Sequence, residues 1–404
     1  MRLSTANLFD ASIANLQHRQ QALQNQQQQL TSGKRIALAS DDPTGAARAE
    51  RALASIGRVD ANQRALEASR NSMTLAESAL GDANELLQQA RETMVSAGNA
   101  SYSDAERAGL ANKLQGIRDQ LLTIANRTDG AGGYLFSGQG SANPPFLDQA
   151  GGVAYVGVAG TIQTGNLDNF QLSIDGRSVW EQGRSGNGSF VTDANPNAID
   201  PTQAAKGWID GGRVIDPTQL TGQNYRIDIA GVAPAQTYTV TNTDTGAGVA
   251  SGSYGSGQNI SFDGISVAIA GNPADGDNFS VAPATNSLKL FDVMDRAINE
   301  LKTPLRNGAQ IQQSNTGRLR DLDAVMGNLQ NARSQVGERL NNLDGTETRL
   351  AALKQYSSEE KSAAEDLDMV QGISDFQTQQ TGYDTALKTY ALVQRMSLFQ
   401  YIQG

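Results

Sequence analysis

Few residues in this chain could carry acid–base, nucleophilic or metal chemistry. His18 is the single histidine, and the 404 residues include no cysteine. A metal centre or a Ser–His–Asp arrangement needs several such groups in concert. His18 therefore reads as a polar position on a glutamine-rich helix. The carboxylate pairs Asp41–Asp42, Glu359–Glu360 and Asp366 with Asp368 could hold a cation or share a proton. Helix capping and solvated faces are the commoner uses of such pairs. The run GSYGSG, Gly252 to Gly257, formally matches the glycine pattern of a dinucleotide site. No helix opens after it, as such a site requires, so it reads as a hairpin turn. No GxSxG, HExxH or P-loop pattern occurs. Trp180, Trp208, Tyr225 and Tyr238 lie in a glycine-rich stretch and could line a sugar site, which makes a lectin-like module or an enzyme the competing reading. Aromatics in such a stretch serve equally as its small core. The expectation is no enzyme, no cofactor and no metal.

The net charge of −10 disfavours a nucleic-acid partner, because phosphate binding calls for a basic surface. No run of 18 apolar residues occurs, so no membrane insertion is expected. The opening MRLSTANLFDASIANLQHRQQ lacks the apolar core and small-residue cleavage site of a secretory leader. On these grounds alone the chain would be placed in the cytoplasm. The missing cysteines also suit a protein that crosses redox compartments.

The elements that would position any site divide sharply. Residues 1 to about 140 and about 286 to 404 carry helical periods, and the middle carries short strands. Val59, Leu66, Met73, Leu80, Leu87 and Met94 recur every seven residues, with Ala76, Ala83, Ala90 and Ala97 three places on. That is a coiled-coil seam with small residues that let a partner helix approach closely. Leu110, Leu114, Ile117, Leu121 and Ile124 form another seam. Leu322, Leu329, Val336, Leu343 and Leu350 form a third. At the extremes, Ile13, Leu16, Leu23 and Leu30 face Ile373, Phe376, Tyr383, Leu387, Tyr390 and Tyr401 as candidate seam residues. The eight glutamines between Gln17 and Gln29 then occupy the polar face of the first helix.

Local signals set the boundaries. Gly33 suits a left-handed cap after the first helix. Asp42 and Pro43 suit an N-cap followed by a first helical residue. Gly98–Asn99 ends the long seam, and Ser103 with Glu106 has capping-box spacing. Asn286 is expected to cap a helix entering at Leu288, and Pro304 to break it. The middle holds over half of the 42 glycines and the runs VAYVGV, FQLSI, YRIDI, TYTVT, ISVAI and NFSVA, an antiparallel pattern. Helices that share a period at opposite ends of a chain must bury their stripes on each other. The predicted fold is mainly α with β: a long antiparallel coiled-coil bundle from the N- and C-terminal segments, with a β-rich outer domain inserted in the middle. The expected parts are residues 1–40 with 365–404, residues 41–140 with 286–364, and residues 141–285.

These residues also carry a resemblance. LTSGKRIALASDDPTGAARA, Leu30 to Ala49, resembles the N-terminal signature of the flagellin family, a helix, a tight turn and an Asp-capped helix. Ser32, Gly33, Lys34, Arg35, Asp41, Asp42 and Pro43 form its turn and cap. LQQARETMVSAGN resembles the family's inner-domain helix. GGYLFSG, ARSQVGERLNNLD, RSGNGSFVTDAN and the stretch Glu365 to Ile402 resemble its hook–filament junction members. The ending SLFQYIQG and the Ala37 of TSGKRIALA favour those members over flagellin proper, a filament subunit, which is the alternative. The resemblance covers roughly 1–140 and 286–404. It implies export through the flagellar type III apparatus, which reverses the cytoplasmic placement. It also implies a ring of copies, neighbours that are the first junction protein and flagellin, and an export chaperone on the C-terminal helix.

Overall fold

The computed structural model describes residues 5–140, 143–164, 170–194 and 207–402. The chain divides into two compact units, residues 1–64 with 345–404 and residues 65–344. The helices are α1 (Thr5–Ser32), α2 (Pro43–Ala97), α3 (Asp104–Ala125), the short α4 (Gly176–Trp180), α5 (Leu290–Lys302), α6 (Gly308–Glu365) and α7 (Met369–Ile402). Their ends follow local chemistry. Gly33 has φ +70° and its N–H bonds to the Gln29 carbonyl at 2.8 Å, closing α1. The Ser103 hydroxyl and the Glu106 carboxylate cap α3 reciprocally. Pro304 lies in the break between α5 and α6.

The heptad positions are the core. Val59, Leu66, Met73, Leu80, Leu87 and Met94 are at most 2% exposed, and the alanines at 76, 83, 90 and 97 are buried beneath them. Leu322, Leu329, Val336, Leu343 and Leu350 answer them from α6. Ion pairs flank this seam: Arg91–Asp323 at 2.6 Å, Arg333–Glu77 at 2.6 Å, Arg70–Asp344 at 2.7 Å and Lys354–Asp60 at 2.8 Å. As position rises along α2 its partner falls along α6, so the two helices run antiparallel. Exposed pairs of this kind add little energy each. Their value is in fixing which turns of the two helices meet.

Among the described residues, fifteen strands lie between α3 and α5. The first two, β1 (Phe146–Gln149) and β2 (Gly152–Tyr155), form a hairpin. A second small pair joins β3 (Gln163–Thr164) to β4 (Phe170–Gln171). These segments belong to the helical core. Phe146, Val153, Ile174, Val179 and Trp180 are buried in one cluster with α2, α3, α5 and α6. Trp180 stacks on Phe291, with ring centroids 6.1 Å apart, and meets Phe136 edge-on at 5.5 Å. Arg118, 4% exposed, ties the β1–β2 hairpin down through Asp148 at 2.7 Å and Asp295 at 2.5 Å. The buried residues from Phe146 to Trp180 thus pack with the helices, although they follow the composition shift near residue 141, and the cluster of the outer sheets begins at Phe190.

Two sheets form the outer domain. One has the order β11 (Gly248–Ser253), β10 (Thr237–Asn242), β9 (Tyr225–Ala230), β14 (Asn278–Pro283), β6 (Phe190–Ala194). The other runs β12 (Asn259–Phe262), β13 (Ile265–Gly271), β7 (Gly207–Ile209), with β8 (Arg213–Val214) also on β13. All pairings are antiparallel. Alternate residues turn inward, as the pleat demands. Tyr225, Ile227, Ile229, Phe279 and Val281 meet Ile260, Ile265, Val267 and Ile269 in a single cluster.

Three sequence expectations change here. GSYGSG is not a hairpin. It carries the chain from β11 to β12, which belong to different sheets. Asn286 does not cap a helix. Asn286–Leu288 is β15, paired with β5 (Gly183–Arg184), and α5 starts at Leu290 after a Lys289 that makes no side-chain cap. A distant strand captured the backbone groups that a local cap would have served. The proposed sugar-site aromatics do not share a surface, since Trp180 is buried in the helical core and Tyr225 in the outer one.

Candidate functional site

The signature turn sits in the unit formed by residues 1–64 and 345–404. It is one half of a clasp. Two helix-to-helix joints meet there, α1 to α2 and α6 to α7. Lys34 and Asp366 form an antiparallel bridge. The Arg35 N–H donates to the Glu365 carbonyl at 2.7 Å, and the Leu367 N–H to the Gly33 carbonyl at 2.9 Å. Side chains repeat the connection. Lys34 Nζ lies 3.1 Å from Glu365, and the Arg35 guanidinium donates to the Ala364 carbonyl at 2.8 Å and to Asp42 at 3.3 Å. Ile36, 8% exposed, is the apolar plug under the turn.

Each acidic residue has a fixed task. Asp41 accepts from the Ala37 and Leu38 N–H groups, which curls the turn. Asp42 accepts from the Gly45 N–H at 2.9 Å and the Thr44 N–H at 3.2 Å, capping α2 ahead of the N-terminal Pro43. Asp368 caps α7 through the Val370 and Gln371 N–H groups. Ser32 Oγ accepts from the Lys34 N–H at 3.3 Å and donates to the Gln29 carbonyl at 3.3 Å. Asp42 and Asp368 thus act as caps, while Glu359 and Glu360 lie within α6. Among the described residues no group of three or more His, Cys, Asp or Glu is placed to hold a metal ion.

The Gly45 N–H, then Thr44 and Arg35, hold the Asp42 carboxyl below its ordinary value. A carboxyl with a depressed native pKa stabilises the fold above its unfolded value, and that contribution is lost as pH falls through the native value. We expect protection of the Thr44 and Gly45 amides against hydrogen exchange to fall below about pH 4, the unfolded range of an aspartate. In Asp42→Asn, which keeps the cap and loses the titrating group, protection should stay level over the same range. Parallel curves for the two proteins would remove Asp42 as the cause.

Beyond the clasp, α1 and α7 pack on each other. Leu16, Leu23, Leu30, Phe376, Tyr383 and Tyr390 are half-buried at their contact. Leu30 seats at Gly372, where an added Cβ would come within 3.2 Å of it and 2.9 Å of Leu367. Ile13, Ile373, Leu387 and Leu392 are still 41%, 48%, 40% and 61% exposed. Tyr401 lies in α7, but its side chain falls outside the described residues. A groove of about 830 Å³ runs between the two helices, walled by Leu16, Arg19 and a row of α7 threonines. Thr378, Thr381, Thr385 and Thr389 donate their hydroxyls to carbonyls four residues back, at 2.7–2.9 Å. That wall offers few unmet donors. It can be covered by another helix without stranding them.

The turn lies where SGKR places it and Asp368 caps as the sequence suggests, while the partners of the turn on the other jaw, Glu365 and Leu367 with Gly372, have no local signal of their own. The similarity of EDLDM to the family points to that side, whereas pairing with SGKR joins opposite ends of the chain and has no local pattern.

Paired terminal helices, a clasped double joint and an outboard sheet domain define a class, the flagellin-like axial subunit. Family models agree: the bacterial flagellin N-terminal helical region matches residues 3–141 and the C-terminal helical region residues 319–402. The D2-like domain of flagellar hook-associated protein 1 matches residues 200–283. Flagellar hook-associated protein 3 of Escherichia coli is 26% identical over 99% of both chains. That of Salmonella typhimurium is 37% identical over 38% of this chain and 48% of its own. The crystal structure of the flagellar junction protein FlgL from Legionella pneumophila superposes with a TM-score of 0.68 at 26% identity, covering 79% of this chain and 100% of that one. A polar flagellin of Vibrio parahaemolyticus matches 40% of this chain at 27% identity, whereas the Escherichia coli hook-associated protein 3 matches it end to end, so the filament-subunit alternative gives way. The chain belongs to the flagellin-like family, in its hook-associated protein 3 (FlgL) branch of hook–filament junction proteins. It is a structural component of the extracellular bacterial flagellum. No helix among the described residues is long and apolar enough to cross a membrane.

Proposed function

We propose that this chain links the hook side to the flagellin filament as a ring of identical subunits, held together through α1 and α7. The observation that carries this is the apolar surface left over when those helices pair: Ile13, Ile373, Leu387 and Leu392 stay at least 40% exposed. One chain cannot cover that surface, and a ring of neighbours can. Ile13, Leu16, Leu23 and Leu30 with Ile373, Phe376, Tyr383, Leu387, Tyr390 and Tyr401 are then the assembly seam. The SGKRI turn with its Asp-capped helix sets the angle at which the seam is presented. Before assembly the same surface is a ligand for an export chaperone, which would bind it as an amphipathic helix in a groove, during passage through the type III apparatus. The first junction protein and flagellin are the neighbours on either side.

Labelling on purified flagella tests the reading. A single band at the hook–filament boundary is expected, and staining along the whole filament would refute it. In the free chain, α1 and α7 should exchange amide hydrogens faster than α3 and α5, because a two-helix pair alone is marginal in water.

A further inference from the structure

The helical core and the outer sheets keep separate apolar cores with no residue in common. Hydrogen bonds join them. The chain crosses between them at Ser185 and Thr285, where the Ser185 N–H donates to the Thr285 carbonyl at 2.9 Å and the Thr285 N–H donates to Ser185 Oγ at 2.9 Å. Two side chains of α6 then reach the sheets. Arg320 Nη1 donates to Thr192 Oγ1 on β6 at 3.0 Å. Gln313 Oε1 accepts from the Ile209 N–H on β7 at 2.8 Å. Thr192 Oγ1 in turn donates to the Asp210 carbonyl at 2.6 Å, so the acceptor that Arg320 uses is itself held in place.

The space around these contacts is not filled. A hollow of about 530 Å³ lies on the Asn187 side and one of about 270 Å³ on the Glu300 side, and Arg320 lines both. An interdigitated apolar interface fixes an angle, because rotation opens voids and forfeits contacts. Here two hollows flank the joint. Directional bonds that cross the joint fix an angle where packing leaves space. Arg320 is well placed for this, with its side chain 16% exposed and Asp321 3.8 Å from Nε. Asp321 also holds Arg318 at 2.7 Å, which anchors the cluster to α6.

We propose that the outer domain is an articulated arm. A two-point polar latch, Arg320 to Thr192 and Gln313 to Ile209, sets its angle. When the latch opens, the arm turns about the Ser185–Thr285 crossing. Only the use of this device rests on the junction reading: a subunit between two unlike neighbours must present its outer domain to both. The geometry itself does not depend on it, and the test is made on the purified chain, away from any flagellum.

The native chain has no cysteine, so spin labels at Gln88→Cys and Thr239→Cys, both exposed, report one distance across the joint. The labelled parent should give a narrow distance distribution. Adding Arg320→Ala with Gln313→Ala should broaden it about twofold or shift its centre, as expected for a released hinge. Thr192→Val removes the Arg320 contact from the sheet side and leaves α6 untouched, so it answers the same question if the α6 variant fails to fold. A width unchanged in the variants would overturn the latch. So would a parent distribution already as broad as theirs.

Discussion

Replacing Leu387 and Tyr390 by aspartate is expected to abolish assembly at the junction while leaving the subunit folded. Leu387 is 40% exposed in the single chain, so its loss costs the monomer little. The heptad core does not include either residue: Leu322, Leu329 and Val336 with Leu80 and Leu87 are buried far from α7 in sequence and within their own cluster. In an assembled ring the balance changes. Each large side chain buried there contributes about 1.5–3 kcal/mol, and an aspartate in its place adds the cost of desolvating a charge with no partner. The penalty is repeated in every subunit. Thermal unfolding of the purified variant should show the main transition near that of the parent. Cells carrying it should release flagellin into the medium instead of growing filaments. Normal filaments on such cells would show that the α7 stripe is not the assembly surface, and an unfolded monomer would show that it is part of the core.

The helical half of this fold was legible because its signals are short-range and repeated. A seven-residue period running from Val59 to Met94 has one physical use, and each copy of the period supports the others. The caps at Asp42 and Ser103 and the left-handed Gly33 are decided by the residues within a turn of them. The clasp was legible on one side only. SGKRI and SDDP announce a turn and a cap, but nothing near Lys34 says that Asp366 will lie across from it, since their meeting depends on two long helices ending at the same level. The strands of the outer domain could be read one by one from their alternation. Their sheet order, 11-10-9-14-6, could not, because every short β-run can pair with several others and only the shared core selects among them. The same limit produced the errors. GSYGSG looks like a hairpin turn until its flanking strands choose different partners. Asn286 looks like a helix cap until β5 claims its backbone. The composition shift near residue 141 is real, yet burial follows contact and not composition, and Phe146 and Trp180 went to the helices.

Two deletions separate those boundaries with a large expected difference. The first removes residues 186–284 and joins Ser185 to Thr285 through a short glycine linker. These two residues already hydrogen-bond backbone to backbone at 2.9 Å, so the closure asks for no rearrangement at the base. The buried cluster of the helical core contains no residue from the deleted span. The remnant should unfold cooperatively, near the temperature of the parent's helical transition. The second deletion starts at Ser141 and ends at Ala284, where composition alone would cut. It takes Phe146, Val153, Ile174, Val179 and Trp180 out of the helical core, together with the Asp148 partner of the buried Arg118. Truncating a buried Phe or Trp costs about 3–5 kcal/mol, and a whole domain is stable by only about 5–15 kcal/mol. That remnant should lose its cooperative transition and bind hydrophobic dyes. The shorter deletion also leaves a convenient reporter. Of the two tryptophans only Trp180 remains, stacked on Phe291, so its fluorescence reads the integrity of the helical core directly. If both deletions unfold alike, the outer sheets are needed by the helical core, and the boundary near Ser185 is wrong. If both stay folded, the aromatic cluster around Trp180 is dispensable and the core closes without it.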